Sequence, residues 1–142
     1  HQLFCVEKIA AHYSGKLAGK RLAVWGLAFK PNTDDVREAP ALNILVRLID
    51  MGATIVAHDP QAVSNFSRAF GSSPQLTYVR DPFTASQGAD GIVLLTEWAE
   101  YHFPDWPLVG GEMKEKVLFD LRNQYTSRQP EGFLYYGVGT RS

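Results

Sequence analysis

The chain of 142 residues contains a single cysteine, Cys5. One thiol excludes an internal disulfide framework and any thiolate cluster for zinc or an iron–sulfur centre. A basic block is missing too: 14 Lys and Arg stand against 15 Asp and Glu, a formal charge of -1. The electrostatic footprint of a nucleic-acid-binding domain is therefore absent, although a small local anion site remains open. No apolar run approaches a bilayer span, and the first residues carry no signal-peptide-like apolar stretch. These absences predict a soluble, cytoplasmic protein in a reducing compartment, with neither membrane nor nucleic acid as partner. There is no internal repeat and no low-complexity tract. What is present is ordinary for a globular domain: 45% hydrophobic residues, enough at this length to bury one core without a covalent staple.

Leu3, Val6, Ala10 and Tyr13 recur at helical spacing, with Phe4 and Ile9 widening the stripe, and Ser14-Gly15 ends it. A helix that starts at residue 1 without a cap is expected to be cut from something longer. Leu22-Ala23-Val24-Trp25 is too short for a helix and is closed by Gly26, as a buried strand would be. Lys30 to Asp35 reads as a loop. Pro40 opens a helix with an apolar stripe at Ala41, Ile44, Leu45 and Leu48 that Gly52 terminates. Further strands are predicted at 54–57, 76–79, 91–95 and 116–120, and a sixth at 133–136. A weaker helix runs through Val63, Phe66 and Phe70, and a short polar one covers Thr84 to Gly88. Residues 97–113 are aromatic-rich and irregular, with Pro104 and Pro107 preventing one continuous helix. Gly137-Val138-Gly139 is a candidate terminal turn. Strands alternating with helices, and continuous apolar runs in the strands, predict an α/β fold with a mostly parallel sheet covered on both faces.

Such sheets bind ligands beyond the carboxyl ends of their strands. Gly26-Leu27-Ala28-Phe29 is not the GxGxxG turn of a dinucleotide site. The same loop does bring Lys30 and Arg37 near a helix start, where exposed N–H groups and cations favour phosphate. The plainer alternative is a solvated Lys30 and an Arg37 paired with Asp34 or Asp35. Arg122, after the fifth strand, offers a fork suited to a diphosphate, or else pairs with Asp120 or Glu97. His58 is more readily a hydrogen-bonded turn residue than a base, and His102 sits among aromatic residues. His12 lies on the first helix and His1 at the terminus. No pair has metal-ligand spacing, so no metal is expected. Cys5 has no sequence-adjacent histidine to activate it except the terminal His1, and reads as packing.

The segment Gly26-Leu27-Ala28-Phe29-Lys30-Pro31-Asn32-Thr33-Asp34-Asp35-Val36-Arg37-Glu38-Ala39-Pro40 closely resembles the signature of the C-terminal domain of UDP-glucose/GDP-mannose dehydrogenases. His58-Asp59-Pro60, Leu95-Thr96-Glu97-Trp98, Phe119-Asp120-Leu121-Arg122-Asn123 and Phe133 to Gly139 follow in that family's order, so the resemblance covers residues 1–140. The wording of Asn32–Pro40 is most similar to bacterial members acting on UDP-glucose. The resemblance implies residues 1–18 as the end of a central connecting helix and 19–142 as a Rossmann-like UDP-sugar-binding domain. The NAD-binding domain and the catalytic cysteine would lie outside this chain, leaving no catalytic residue in it and an inactive fragment. It assigns Phe29, Lys30 and Arg122 to the UDP-sugar, Arg37 to NAD across a cleft, and homodimerisation to the parent enzyme. Leu121 departs from the family's glycine beside Arg122, Ala39 from a frequent serine, and Gln124–Ser127 from the usual continuation. A free-standing nucleotide-sugar or anion-binding module without redox activity is the alternative.

Overall fold

The computed structural model describes residues 2–138; His1, and Gly139 of the expected terminal turn, lie outside the described residues. Six strands form one sheet: β1 (Arg21–Trp25), β2 (Thr54–His58), β3 (Leu76–Tyr78), β4 (Gly91–Leu94), β5 (Val117–Asp120) and β6 (Leu134–Gly137). Their order is β3-β2-β1-β4-β5-β6, and every adjacent pair is parallel. The sheet is thus wholly parallel where a mostly parallel one is expected. β4 and β5 are buried at every position, while the edge strands β3 and β6 each expose residues. That gradient is what helices covering both faces of the sheet centre produce.

The helices are α1 (Gln2–His12), α2 (Pro40–Asp50), α3 (Val63–Phe70), α4 (Pro82–Ser86) and α5 (Trp106–Gly111). The first three pack as one layer, α1 on α2 and α2 on α3; α4 and α5 pack together. In α2 the expected stripe is the buried one: Ala41, Ile44, Leu45 and Leu48 are at most 2% exposed. Burial of each large member contributes about 1.5–3 kcal/mol of transfer free energy. One local expectation changes: the fourth helix begins earlier, at Pro82, because Asp81 caps it by accepting from Thr84 N at 2.7 Å. No continuous helix runs through 97–113, as expected; Pro107 instead opens the short α5, with Asp105 as the capping side chain.

On α1 the buried stripe is Cys5, Val6, Ile9 and Ala10, whereas Leu3 and Phe4 are about half exposed. The first turn overhangs the rim of the groove between α1 and the end of α2, where Leu3 faces Arg47, Asp50 and Met51. The other end of α1 is fastened to the sheet. His12 bridges the Tyr136 hydroxyl at 2.8 Å and Glu115 Oε2 at 2.7 Å, Lys8 Nζ donates to Gly137 O, and Tyr13 donates to Asp90 O at 2.6 Å.

Candidate functional site

Because all strands are parallel, the segments after β1, β2, β4 and β5 leave the same carboxyl edge of the sheet. Phe29 and Lys30 follow β1 and Arg122 follows β5, so the three share that edge as expected. The strand order reverses direction between β1 and β4, the crevice where doubly wound sheets admit ligands. Here that crevice is shut at its base. Gly26 has φ +100°, and a Cβ placed on it would lie 2.5 Å from Thr96 Cβ. Thr96 is fully buried and its hydroxyl donates to Ala28 O at 2.8 Å. Thr96, two residues past β4, thus packs directly on the Gly26 backbone, and the turn after β1 lacks the GxGxxG pattern of a dinucleotide cradle.

Asp59, one residue past β2, organises this edge. Its Oδ2 accepts from Leu27 N (2.7 Å), Ala28 N (3.0 Å) and Trp98 Nε1 (3.1 Å), and its Oδ1 from Gln61 N (2.9 Å) and Ala62 N (2.7 Å). Five N–H donors satisfy a carboxylate only 5% exposed and join three loops. Beyond this base the loop closes on itself: Phe29 N donates to Asp35 O, and Asp35 N to Thr33 Oγ1. Phe29 is 44% exposed and Lys30 is exposed, with no ion pair to any described residue. The solvated alternative for Lys30 describes its unliganded state.

Arg122 is placed by Asp120, the fully buried last residue of β5. Asp120 Oδ1 accepts from Arg122 N and Gln124 N, and Oδ2 from Tyr125 N at 2.7 Å and the Tyr135 hydroxyl at 2.6 Å. Asp120 is therefore not the guanidinium's partner, one of the two alternatives for this arginine. Glu97 is, with Nε–Oε1 at 3.0 Å and a second bond from NH2 to Oε2 at 3.2 Å. Leu121 does not crowd the loop: it is 8% exposed, packs into the core, and its N–H donates to Leu94 O. Leu121 and Arg122 line a narrow cleft of about 70 Å³ with Gln2, Cys5, Pro40, Ile44 and Leu95, beside the start of α2. A nucleotide needs several times that volume. Phe29 and Lys30 are outside its wall, so the substrate-binding candidates share an edge and not a closed pocket.

Arg37 reaches solvent, 88% exposed, while paired with Asp35 through Nε at 3.1 Å and NH2 at 2.9 Å. The Arg37 hydrogen bonds hold the Asp35 carboxyl down to about 2. Arg37 borders a broad, open depression of about 690 Å³ with Asp34, Asn65 and Arg68, apart from the Arg122 cleft. His58 is buried against the Tyr101 hydroxyl at 2.8 Å, and burial lowers its pKa against the opposing pull of Asp59, Asp81 and Glu100. Burial likewise raises the Cys5 thiol, which is 2% exposed and therefore a packing residue without thiolate character. His102 is exposed beside Phe103. Among the described residues no group of three or more His, Cys, Asp or Glu is placed to hold a metal. The organising roles of Asp59 and Asp120 went unread in the sequence. The available signal was an acidic residue ending or directly following a largely apolar strand.

Residues 23–127 match the UDP-binding domain of the UDP-glucose/GDP-mannose dehydrogenase family. Over 138 residues the chain is 40% identical to a UDP-glucose 6-dehydrogenase of Pseudomonas aeruginosa, covering 94% of this chain and 30% of that protein. It is 38% identical over 146 residues to UDP-glucose 6-dehydrogenase YwqF of Bacillus subtilis, covering 99% and 32%. The structure superposes on a UDP-glucose dehydrogenase from Pyrobaculum islandicum with TM-score 0.80 at 32% identity, covering 96% of this chain and 29% of that one. A UDP-N-acetyl-mannosamine dehydrogenase, Cap5O from Staphylococcus aureus, gives 0.73 at 26%, with coverage of 96% and 29%. The chain thus spans about a third of the length of these relatives. The chain belongs to the UDP-glucose/GDP-mannose dehydrogenase family, and residues 23–127 are its UDP-binding domain.

Proposed function

We propose that the chain is the UDP-sugar-holding part of an NAD-dependent UDP-glucose 6-dehydrogenase, which converts UDP-glucose and two NAD to UDP-glucuronate. The observation that supports this reading is the common carboxyl edge shared by Phe29, Lys30 and Arg122, with Arg122 beside the start of α2. In it, the Arg122 fork takes the diphosphate oxygens in bidentate fashion, Lys30 adds a mobile point charge, and Phe29 lays an exposed ring against the ligand. The segment 1–18, which carries α1 (Gln2–His12), ends a connecting helical region and 19–142 is the binding domain; a separate domain holds NAD, and the parent enzyme is a cytoplasmic homodimer.

NAD supplies the hydride acceptor in this chemistry. The turn after β1 lacks the GxGxxG pattern that cradles its pyrophosphate, so within this chain only the exposed Arg37 guanidinium is assigned to it, reaching a cofactor held elsewhere. No residue of this chain is assigned to the chemical step, and Cys5, buried with a raised thiol pKa, is not the nucleophile.

In the complete enzyme, Arg122→Ala should raise KM for UDP-glucose about tenfold or more while leaving KM for NAD near its starting value. Loss of a charge-assisted phosphate contact costs about 1.5–3 kcal/mol. Arg122→Lys should recover part of the loss, restoring charge without the fork. An unchanged KM for UDP-glucose in Arg122→Ala would remove the phosphate assignment. Dehydrogenase activity from residues 1–142 alone would overturn the division of labour.

A further inference from the structure

Without ligand, the Arg122 fork is already filled. Both of its bonds go to the two carboxylate oxygens of Glu97, and the two side chains are 34% and 35% exposed. This is not a chance meeting of two long surface chains. The Arg122 backbone is held by Asp120. Glu97 lies between Thr96, whose hydroxyl is bonded to Ala28 O, and Trp98, whose indole donates to Asp59 and whose carbonyl accepts from Gln124 Nε2. Both partners therefore project from pinned backbone, so that only their side-chain rotamers remain to be ordered in the pair.

A carboxylate and a phosphate offer a guanidinium the same pair of acceptor oxygens. We propose that Glu97 is the internal occupant of the Arg122 phosphate subsite, so that a phosphate-bearing ligand binds by exchange with Glu97 and not by addition to a free arginine. The inference rests on the assignment of Arg122 to the phosphates of a UDP-sugar. Exchange sets a threshold. A lone phosphate trades one oxyanion for another and competes with a partner tethered in place, at high effective concentration. A diphosphate that also engages Lys30 and carries a uridine has contacts left over after the trade. Glu97 is thus a specificity-determining residue that keeps small anions off the edge. Its one-third exposure gives the displaced carboxylate a route into water.

The test is calorimetric titration of the complete protein with UDP, uridine and inorganic phosphate, in the wild type and in Glu97→Gln, Glu97→Asp and Arg122→Ala. Glu97→Gln keeps the side-chain length and removes the charge. It should tighten UDP about two- to fivefold, the range set by a partly exposed ion pair. Inorganic phosphate should tighten by a similar factor, and uridine should not change. Glu97→Asp, too short for the two-point contact, should fall between the wild type and Glu97→Gln; it decides the question in the same direction if Glu97→Gln does not fold. Unchanged or weaker UDP binding in both Glu97 variants, with binding lost in Arg122→Ala, would overturn the exchange while leaving the Arg122 assignment standing. Wild-type UDP affinity in Arg122→Ala, or no UDP binding in either the wild type or Glu97→Gln, would overturn both.

Discussion

Asp59 and Asp120 are both buried carboxylates at the carboxyl ends of parallel strands, and each lies beneath a loop that presents a cation. They differ in reach. Asp59 accepts from residues 27, 28, 61, 62 and 98, which belong to three separate loops. Asp120 accepts from residues 122, 124 and 125 of the loop that follows it, with Tyr135 of β6 as its distant donor. One carboxylate ties loops to one another, and the other folds a single loop back onto its own strand. A long loop such as residues 26–39, although it closes on itself at Phe29, Thr33 and Asp35, is thus anchored at its base by a residue from elsewhere in the chain. A short loop such as Leu121–Tyr125 carries its organiser with it.

The comparison breaks most sharply at Asp59. Asp59→Ala leaves five donors to find new partners, four of them backbone amides, and should destabilise the domain by about 3–5 kcal/mol in urea unfolding. A loss under about 1 kcal/mol would show that the loops hold without it. Gly26→Ala, which needs φ +100° and meets Thr96 at 2.5 Å, should cost about 2–4 kcal/mol. Combining it with Thr96→Ser should return little of that loss, since the atoms met, Thr96 Cβ, N and Oγ1, all remain in serine. Asp120→Asn should cost less, about 1.5–3 kcal/mol, with amide exchange rising at Arg122, Gln124 and Tyr125 but not at Leu27 or Ala28. Exchange spreading to both loops would erase the distinction between them.

Two smaller effects sharpen it further. His58 beside Asp59 has a lowered pKa in the fold, so the unfolded chain binds its proton more readily. Its contribution to stability is complete above the ordinary histidine pKa near 6.5 and is lost as pH falls below it. The urea midpoint should therefore drop on acidification from pH 7, and His58→Gln should flatten that dependence. The exposed Arg37–Asp35 pair should be the least consequential for stability. Asp35 should titrate at about 2 by NMR, with any stabilisation lost only as pH falls from 3.8 toward that value. In Arg37→Ala it should return toward the usual carboxylate range without a measurable change in urea midpoint.

Apolar patterning made the α/β alternation legible, because Leu22–Trp25, Gly91–Leu94 and Val117–Phe119 are buried on both faces and need no knowledge of their neighbours. The α2 stripe was legible for the same reason. Helix starts at Pro82 and Trp106 were less so, since capping by Asp81 and Asp105 depends on one hydrogen bond each, and proline reads equally as opener or breaker. At the site, sequence position placed Phe29, Lys30 and Arg122 on one edge. It left open whether Glu97 or Asp120 pairs with Arg122, because one follows β4, the other ends the adjacent β5, and only the side-chain directions decide. The five-donor role of Asp59 was out of reach for a like reason: its donors come from residues 27 to 98, and nothing local links them.

The fastening of α1 has a mechanical consequence. Lys8 and His12 grip β6 and the approach to β5, Tyr13 grips the turn before β4, and Asn43 of α2 donates to Gln2 at the opposite end. A rod clamped along its length cannot swivel in its seat; torque applied to it turns the sheet as one body. The cationic loops at the carboxyl edge would then travel with the rod as one body, Arg122 most directly, since it shares a cleft with Gln2 and Cys5 of α1.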